Sequence, residues 1–120
     1  MNTISSYRDL LVWQQAVDLT VAVYAASKAW PKEEAYGLTS QARRSATSVA
    51  ANIAEGYGRE NKGAYVQFLR IAQGSLKELE THVIVAERVD IASAQKTLDL
   101  LQQCESVGKL LRALIRKLQA

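Results

Sequence analysis

Two residue types that carry much enzyme chemistry are scarce in this chain of 120 residues, which holds one histidine, His82, and one cysteine, Cys104. A single imidazole builds neither a metal cluster within one chain nor a Ser/His nucleophile pair. His82 is therefore expected on a helix surface or at an interface. Cys104 has no cationic cluster around it that would favour the thiolate, so it reads as a small hydrophobe on the core side of its helix. Glu78 and Glu80 are two apart and point to different helix faces, which is not the placement of a catalytic carboxylate pair. Gly56-Tyr57-Gly58 follows a helix rather than a strand, and Asn61 stands where a dinucleotide fingerprint needs its third glycine. No phosphate-loop sequence occurs. These absences predict no cofactor, no metal and no enzyme.

Cationic side chains are the remaining chemistry. After Glu105 the chain carries Lys109, Arg112, Arg116 and Lys117 with no acid, and the first three share one helical face. A second group, Arg43, Arg44, Arg59, Lys62 and Arg70, surrounds the second helix and the turn after it. Each group reads either as a solvated face or as a surface for a polyanion. Cations at a helix C-terminus favour the macrodipole by about 0.3–1 kcal/mol, which accounts for the last group without any partner. The formal charge of +3 permits a nucleic-acid partner without demanding one.

Four helices position these residues. A composition of 48% apolar and 22% charged residues, with one proline and six scattered glycines, is that of a globular, helix-forming chain. The first helix is expected from about Arg8 to Ala29, with Ser6 as N-cap and Asp9 completing a capping box. Leu10, Trp13, Val17, Val21 and Tyr24 form its inward stripe, and Trp30-Pro31 ends it. Glu33 and Glu34 belong to a short helical turn closed by Gly37.

The second helix runs from Leu38–Ser40 to about Gly56, with Leu38, Ala42, Ala46 or Ser45, Val49 and Ile53 inward. Asn61 caps the third, about Lys62 to Val89, whose stripe is Tyr65, Phe68/Leu69, Ala72, Leu76, Leu79, Val83 and Ala86. Ser93 caps the fourth, about Ala94 to Leu118, with Leu98, Leu101, Val107 or Gly108, Leu111 or Leu110, Leu114 and Leu118 inward. Short connections between long amphipathic helices predict an all-α, antiparallel up-down-up-down four-helix bundle, with residues 1–120 as one domain. A helical hairpin that completes its core in a dimer is the alternative. Neither a signal peptide nor an apolar run long enough to span a bilayer is present. With one cysteine and hence no intrachain disulfide, this makes a cytoplasmic protein with no membrane partner the expectation.

The second helix holds almost nothing large between Ser45 and Gly56. It can pack only by close approach to bulky neighbours such as Trp13, Tyr24 and Phe68. Ala50, Ala51 and Ala54 fall where a surface helix would carry Lys, Glu or Gln, which predicts burial by a second subunit, although alanine also costs nothing on a wet face. The candidate interface is Ala50, Ala51, Asn52, Ala54 and Glu55. Gln41, Arg44, Ser48, Asn52 and Glu55 form a polar stripe in which Arg44 and Glu55, or a neighbour's carboxylate, would pair if buried. Gly74 inside the third helix implies close helix contact at that point.

The strings Tyr7-Arg-Asp-Leu-Leu-Val-Trp13, Trp30-Pro-Lys-Glu-Glu-Ala-Tyr-Gly-Leu38, Gln41-Ala-Arg-Arg44, Asn52-Ile-Ala-Glu-Gly-Tyr-Gly-Arg59 and Ala72-Gln-Gly-Ser-Leu-Lys-Glu-Leu-Glu80 resemble the four-helix-bundle proteins encoded in bacterial 23S rRNA intervening sequences. The resemblance spans roughly Tyr7 to Leu118, with Ala42 and Ser45 as departures where relatives tend to carry bulkier apolar residues or alanine. It implies a four-helix protomer, a barrel-like homopentamer and no enzymatic activity. Accessory proteins of diversity-generating retroelements, which work with a reverse transcriptase and nucleic acid, are similar. Five copies would carry +15, enough for a ring to attract RNA or DNA in a salt-dependent way. The resulting expectation is an oligomeric adaptor that binds nucleic acid, with a protein partner alongside. The alternative is a structural or protein-interaction module whose basic residues are incidental.

Overall fold

The computed structural model describes residues 3–120. Met1 and Asn2, which open the stretch read as lacking a signal peptide, lie outside the described residues. Four helices, α1 (Leu11–Ser27), α2 (Leu38–Tyr57), α3 (Lys62–Arg88) and α4 (Ala94–Gln119), form an antiparallel bundle in which sequence neighbours pack together and α1 closes against α4. The backbones of the diagonal pairs stay apart. No helix among the described residues is long and apolar enough to cross a membrane.

The capping box at Ser6 and Asp9 exists, but it caps a separate turn. Ser6 Oγ accepts from the Arg8 amide at 3.0 Å, and Asp9 Oδ2 accepts from the Ser5 and Ser6 amides at 2.9 and 3.1 Å. Those bonds hold a three-residue 3₁₀ turn, Tyr7–Asp9, after which Leu10 is extended and α1 begins only at Leu11. Hydrogen bonds from the Ser5 amide, the Ser5 hydroxyl and the Ser6 amide, in that order, lower the Asp9 pKa below its usual 3.8. The predicted caps of α3 and α4 are in place: Asn61 Oδ1 accepts from the Ala64 amide at 2.7 Å, and Ser93 Oγ from that of Lys96 at 3.2 Å.

The inward stripes of α2 and α3 fall where expected, with Ala42, Ala46, Val49, Ile53, Leu69, Ala72, Leu79, Val83 and Ala86 all at 0% exposure. Those of α1 and α4 do so only in part: Val107, Gly108 and Leu111 are buried as expected, while other positions are not. In α1 the core residues are Val12, Ala16, Leu19 and Val23, whereas Val21 and Tyr24 are 63% and 43% exposed. The physical reason is that α1 carries a single charge, Asp18, over its 17 residues. A helix apolar on nearly every side gives periodicity no face to select. Trp13 stays half-buried at the edge, its ring 5.2 Å from that of Tyr7 in an edge-on pair.

In α4 the inward phase is Thr97, Leu100, Cys104, Val107, Gly108, Leu111 and Ile115, so Leu98 points out and Leu101, Leu114 and Leu118 are half-buried. Thr97 is tolerated inside because its hydroxyl donates to the Ser93 carbonyl at 2.8 Å. Burial, aided by the Glu80 carboxylate, pushes the Cys104 thiol up to about 12. Cys104 is therefore expected to resist a thiol-specific disulfide reagent at pH 8 in the native protein and to react at once in denaturant. Equal rates in both states would place it at the surface.

The protomer itself accounts for much of the small-residue character of α2. Ala50 is buried within its own chain, Ala54 is half-buried, and of the three alanines read as wet only Ala51 is exposed. Ser45 is buried with its hydroxyl donating to the Gln41 and Ala42 carbonyls. Close helix contact occurs at Gly56, where an added Cβ would stand 2.8 Å from Phe68 Cβ, and not at Gly74, where an added Cβ would meet nothing beyond its own helix backbone within 4 Å.

Candidate nucleic-acid interface

The structure separates the eight predicted cationic residues by what already holds them. Arg43 donates to Ser27 Oγ at 2.9 Å and lies over the Tyr24 ring, pinning α2 to α1. Arg59 sits over the Phe68 ring and pairs with Glu55 at 3.6 Å, so the Arg44–Glu55 pair considered from the sequence is not formed. Lys109 pairs with Glu105 at 3.4 Å. Arg44 opens on a different groove between α2 and α3, beside Gln41, Ser48 and Glu78. Of the remaining four, Lys62 is exposed at the start of α3.

Arg70, Arg112 and Arg116 come together. They line one shallow groove of about 270 Å³ between α3 and α4, with Gln73, Ile115 and Gln119. Arg70 belongs to one sequence cluster and the other two to the second. Antiparallel packing brings the first half of α3 beside the last half of α4. Both segments lack acids, 61–77 on α3 and 106–120 on α4. At the border, Lys77 and Lys109 are taken up by Glu80 and Glu105. Beyond it, among the described residues, no carboxylate lies within 4.0 Å of Arg70, Arg112 or Arg116.

Local packing shapes the groove floor. Beside the groove, one turn before Arg112, Gly108 faces Leu76, and an added Cβ would stand at ordinary contact distance, 3.4 Å from Leu76 Cδ2 and 3.5 Å from Arg112 Nη1. Ile115 anchors α4 beneath the guanidinium groups at 5% exposure. Arg70 Nη2 reaches Gln119 Oε1 at 3.5 Å, a long contact that leaves most of its donors facing solvent. Three planar donor forks with no counter-ion suit phosphate oxygens.

The sequence reading missed Gln73 and Gln119 as lining residues. The signal that finds them is the pairing of the two acid-free segments across the antiparallel interface. His82 Nε2 lies 3.4 Å from Glu78 Oε2 on the α2 side of α3, remote from the arginines. Among the described residues no three His, Cys, Asp or Glu side chains are placed to hold a metal ion.

The candidate subunit-interface residues divide differently. Asn52 donates to the Ser48 carbonyl at 2.8 Å, and Ser48 pairs with Ser75 across to α3 at 2.9 Å. Ala51 and Glu55 face out, Asn52 and Ala54 are half-covered, and Ala50 is inside.

Comparison with known proteins agrees with this architecture. A search of curated proteins finds no match. A solved structure of a protein of unknown function from the S23 ribosomal protein family of Bacteroides thetaiotaomicron is similar at a TM-score of 0.79 and 20% identity. The alignment covers 88% of this chain and 98% of that one, and at that identity it speaks for the fold alone. The model of the 23S rRNA-intervening sequence protein family matches residues 8–113. The chain therefore belongs to the family of 23S rRNA-intervening sequence proteins.

Proposed function

We propose that this chain is a non-enzymatic, homo-oligomeric adaptor that associates with nucleic acid through the α3/α4 arginine groove. The observation that carries this reading is the convergence of Arg70, Arg112 and Arg116, all without counter-ions, between two acid-free helix segments. Unpaired guanidinium groups facing solvent are an electrostatic footprint for a phosphate backbone. The groove holds no aromatic side chain on which a base could stack. Binding should thus track phosphate with little sequence preference.

Oligomerisation is part of the same proposal. Each copy would add one groove, and a homopentamer, the state that the family resemblance implies, would repeat it five times around an axis. The exposed Ala51 and Glu55, with Asn52 and Ala54 beside them, form one candidate contact between copies.

Titration of a labelled, structured RNA at 50 mM and 200 mM salt tests the proposal. Saturable binding at the lower salt that weakens steeply at the higher is expected. Absence of binding at 50 mM would leave the protein-interaction module, with incidental basic residues, as the better account.

A further inference from the structure

The end of the bundle opposite the arginine groove carries a hole and a knob. The hole is a pocket of about 640 Å³ between the last turns of α1 and the first turns of α4. Its first wall is Ala22, Ala25 and Ala26 of α1 with Ala29 just beyond the helix, Trp30 lines it beside them, and Leu100 lines it from α4. Four alanines on one wall leave the space that larger side chains would fill. The polar rim has one cation, Lys96, which among the described residues has no carboxylate within 4.0 Å.

The knob is Tyr36, 99% exposed on the α1–α2 connection and, among the described residues, the most exposed of the large apolar ones. Its neighbours Glu33 and Ala35 are also exposed. A tyrosine wholly in water gains nothing for the fold of its own chain. Tyr36 does not line the α1/α4 pocket of its own protomer, and the backbone of α2, which it precedes, stays apart from that of α4. Knob and hole nevertheless lie at the same end of the molecule.

We infer that Tyr36 of one protomer inserts into the α1/α4 pocket of a second copy of this chain. The inference rests on the homo-oligomeric reading above and assigns it a contact. The phenol ring fills the alanine-walled slot over Trp30, and its hydroxyl meets the polar rim of Asp99 and Gln103. Glu33, one turn before the knob, supplies the charge that Lys96 lacks. Knob and hole are different surfaces, so the contact runs head to tail and leaves one free knob and one free hole until the ring closes.

Light scattering on the full chain over a range of concentrations is the test, with Tyr36→Ala to remove the knob and Ala25→Trp to fill the hole. Both positions are exposed, and unchanged circular dichroism would verify the fold. Each variant should raise the subunit dissociation constant by about 30-fold or more, as expected for a buried tyrosine anchor. Mixing the two variants should yield heterodimers, because one keeps its hole and the other its knob. An oligomer whose mass is unaltered by Tyr36→Ala would overturn this contact while leaving oligomerisation standing. A wild-type protein that stays monomeric at every concentration would overturn both.

Discussion

Replacing Gly56 with alanine is expected to destabilise the protein by about 1–3 kcal/mol, the range for forcing a methyl group into a packed interface. An added Cβ there meets Phe68 Cβ at 2.8 Å, a Tyr65 ring carbon at 3.1 Å and the Tyr65 carbonyl at 3.2 Å. None of these is the free end of a flexible chain, so α2 and α3 must separate to admit it. That pair also carries the edge-on contact of Tyr57 with Tyr65 and the Arg59–Phe68 stack, and both should loosen. The same substitution at Gly74 should instead stabilise by about 0.5–1 kcal/mol, since the added Cβ meets nothing beyond its own helix backbone within 4 Å and alanine is the better helix former. Urea unfolding of the two variants checks both signs. A Gly74→Ala variant that unfolds more easily as the oligomer alone would place a neighbouring copy at that position.

This contrast shows where sequence reasoning stops. A glycine inside a helix signals an unusual requirement without saying whether the cause is close packing or a locally tolerated cost. The two helices with clear amphipathic contrast, α2 and α3, were legible nearly residue by residue, because one face is polar enough to exclude it from the core. α1 was legible as a helix but not in its rotation, for with Asp18 as its only charge several faces are equally apolar. In α4 the segment Leu98-Asp99-Leu100-Leu101 admits two phases, and the choice rests on Thr97 and Cys104 entering the core. Cys104 was expected on the core side as a small hydrophobe, whereas the polarity of Thr97 argues against burial until its bond to the Ser93 carbonyl is seen.

The candidate site was legible as two groups of cations and not as a place. Arg43 and Arg59 looked equivalent to Arg70 by type and position, yet the first two hold the fold together through Ser27, Tyr24, Glu55 and Phe68. Only the register of α3 against α4 joins Arg70 to Arg112 and Arg116. The family resemblance read from the motifs agrees with the family match over residues 8–113.

Reversing the groove charges should have the largest effect of all. An Arg112→Glu/Arg116→Glu variant is expected to bind structured RNA at least about 100-fold more weakly at 50 mM salt. Each hydrogen bond to a charged group contributes about 1.5–3 kcal/mol, and the new carboxylates add repulsion. Both arginines are exposed, so folding should be unaffected. Lys28→Glu/Arg88→Glu is the matched control, since it changes net charge equally at the opposite end of the bundle. If the two variants lose affinity equally, the groove has no special role and binding follows net charge.

The most direct measurement of the central claim is the slope of log affinity against log salt for the wild type and an Arg70→Gln/Arg112→Gln/Arg116→Gln variant, on one RNA duplex. Release of condensed counterions sets that slope at about 0.9 per neutralised phosphate on a duplex. The predicted result is weaker binding at low salt and a shallower slope, by about 0.9 for each phosphate that the variant no longer neutralises. Parallel lines of equal affinity would contradict it.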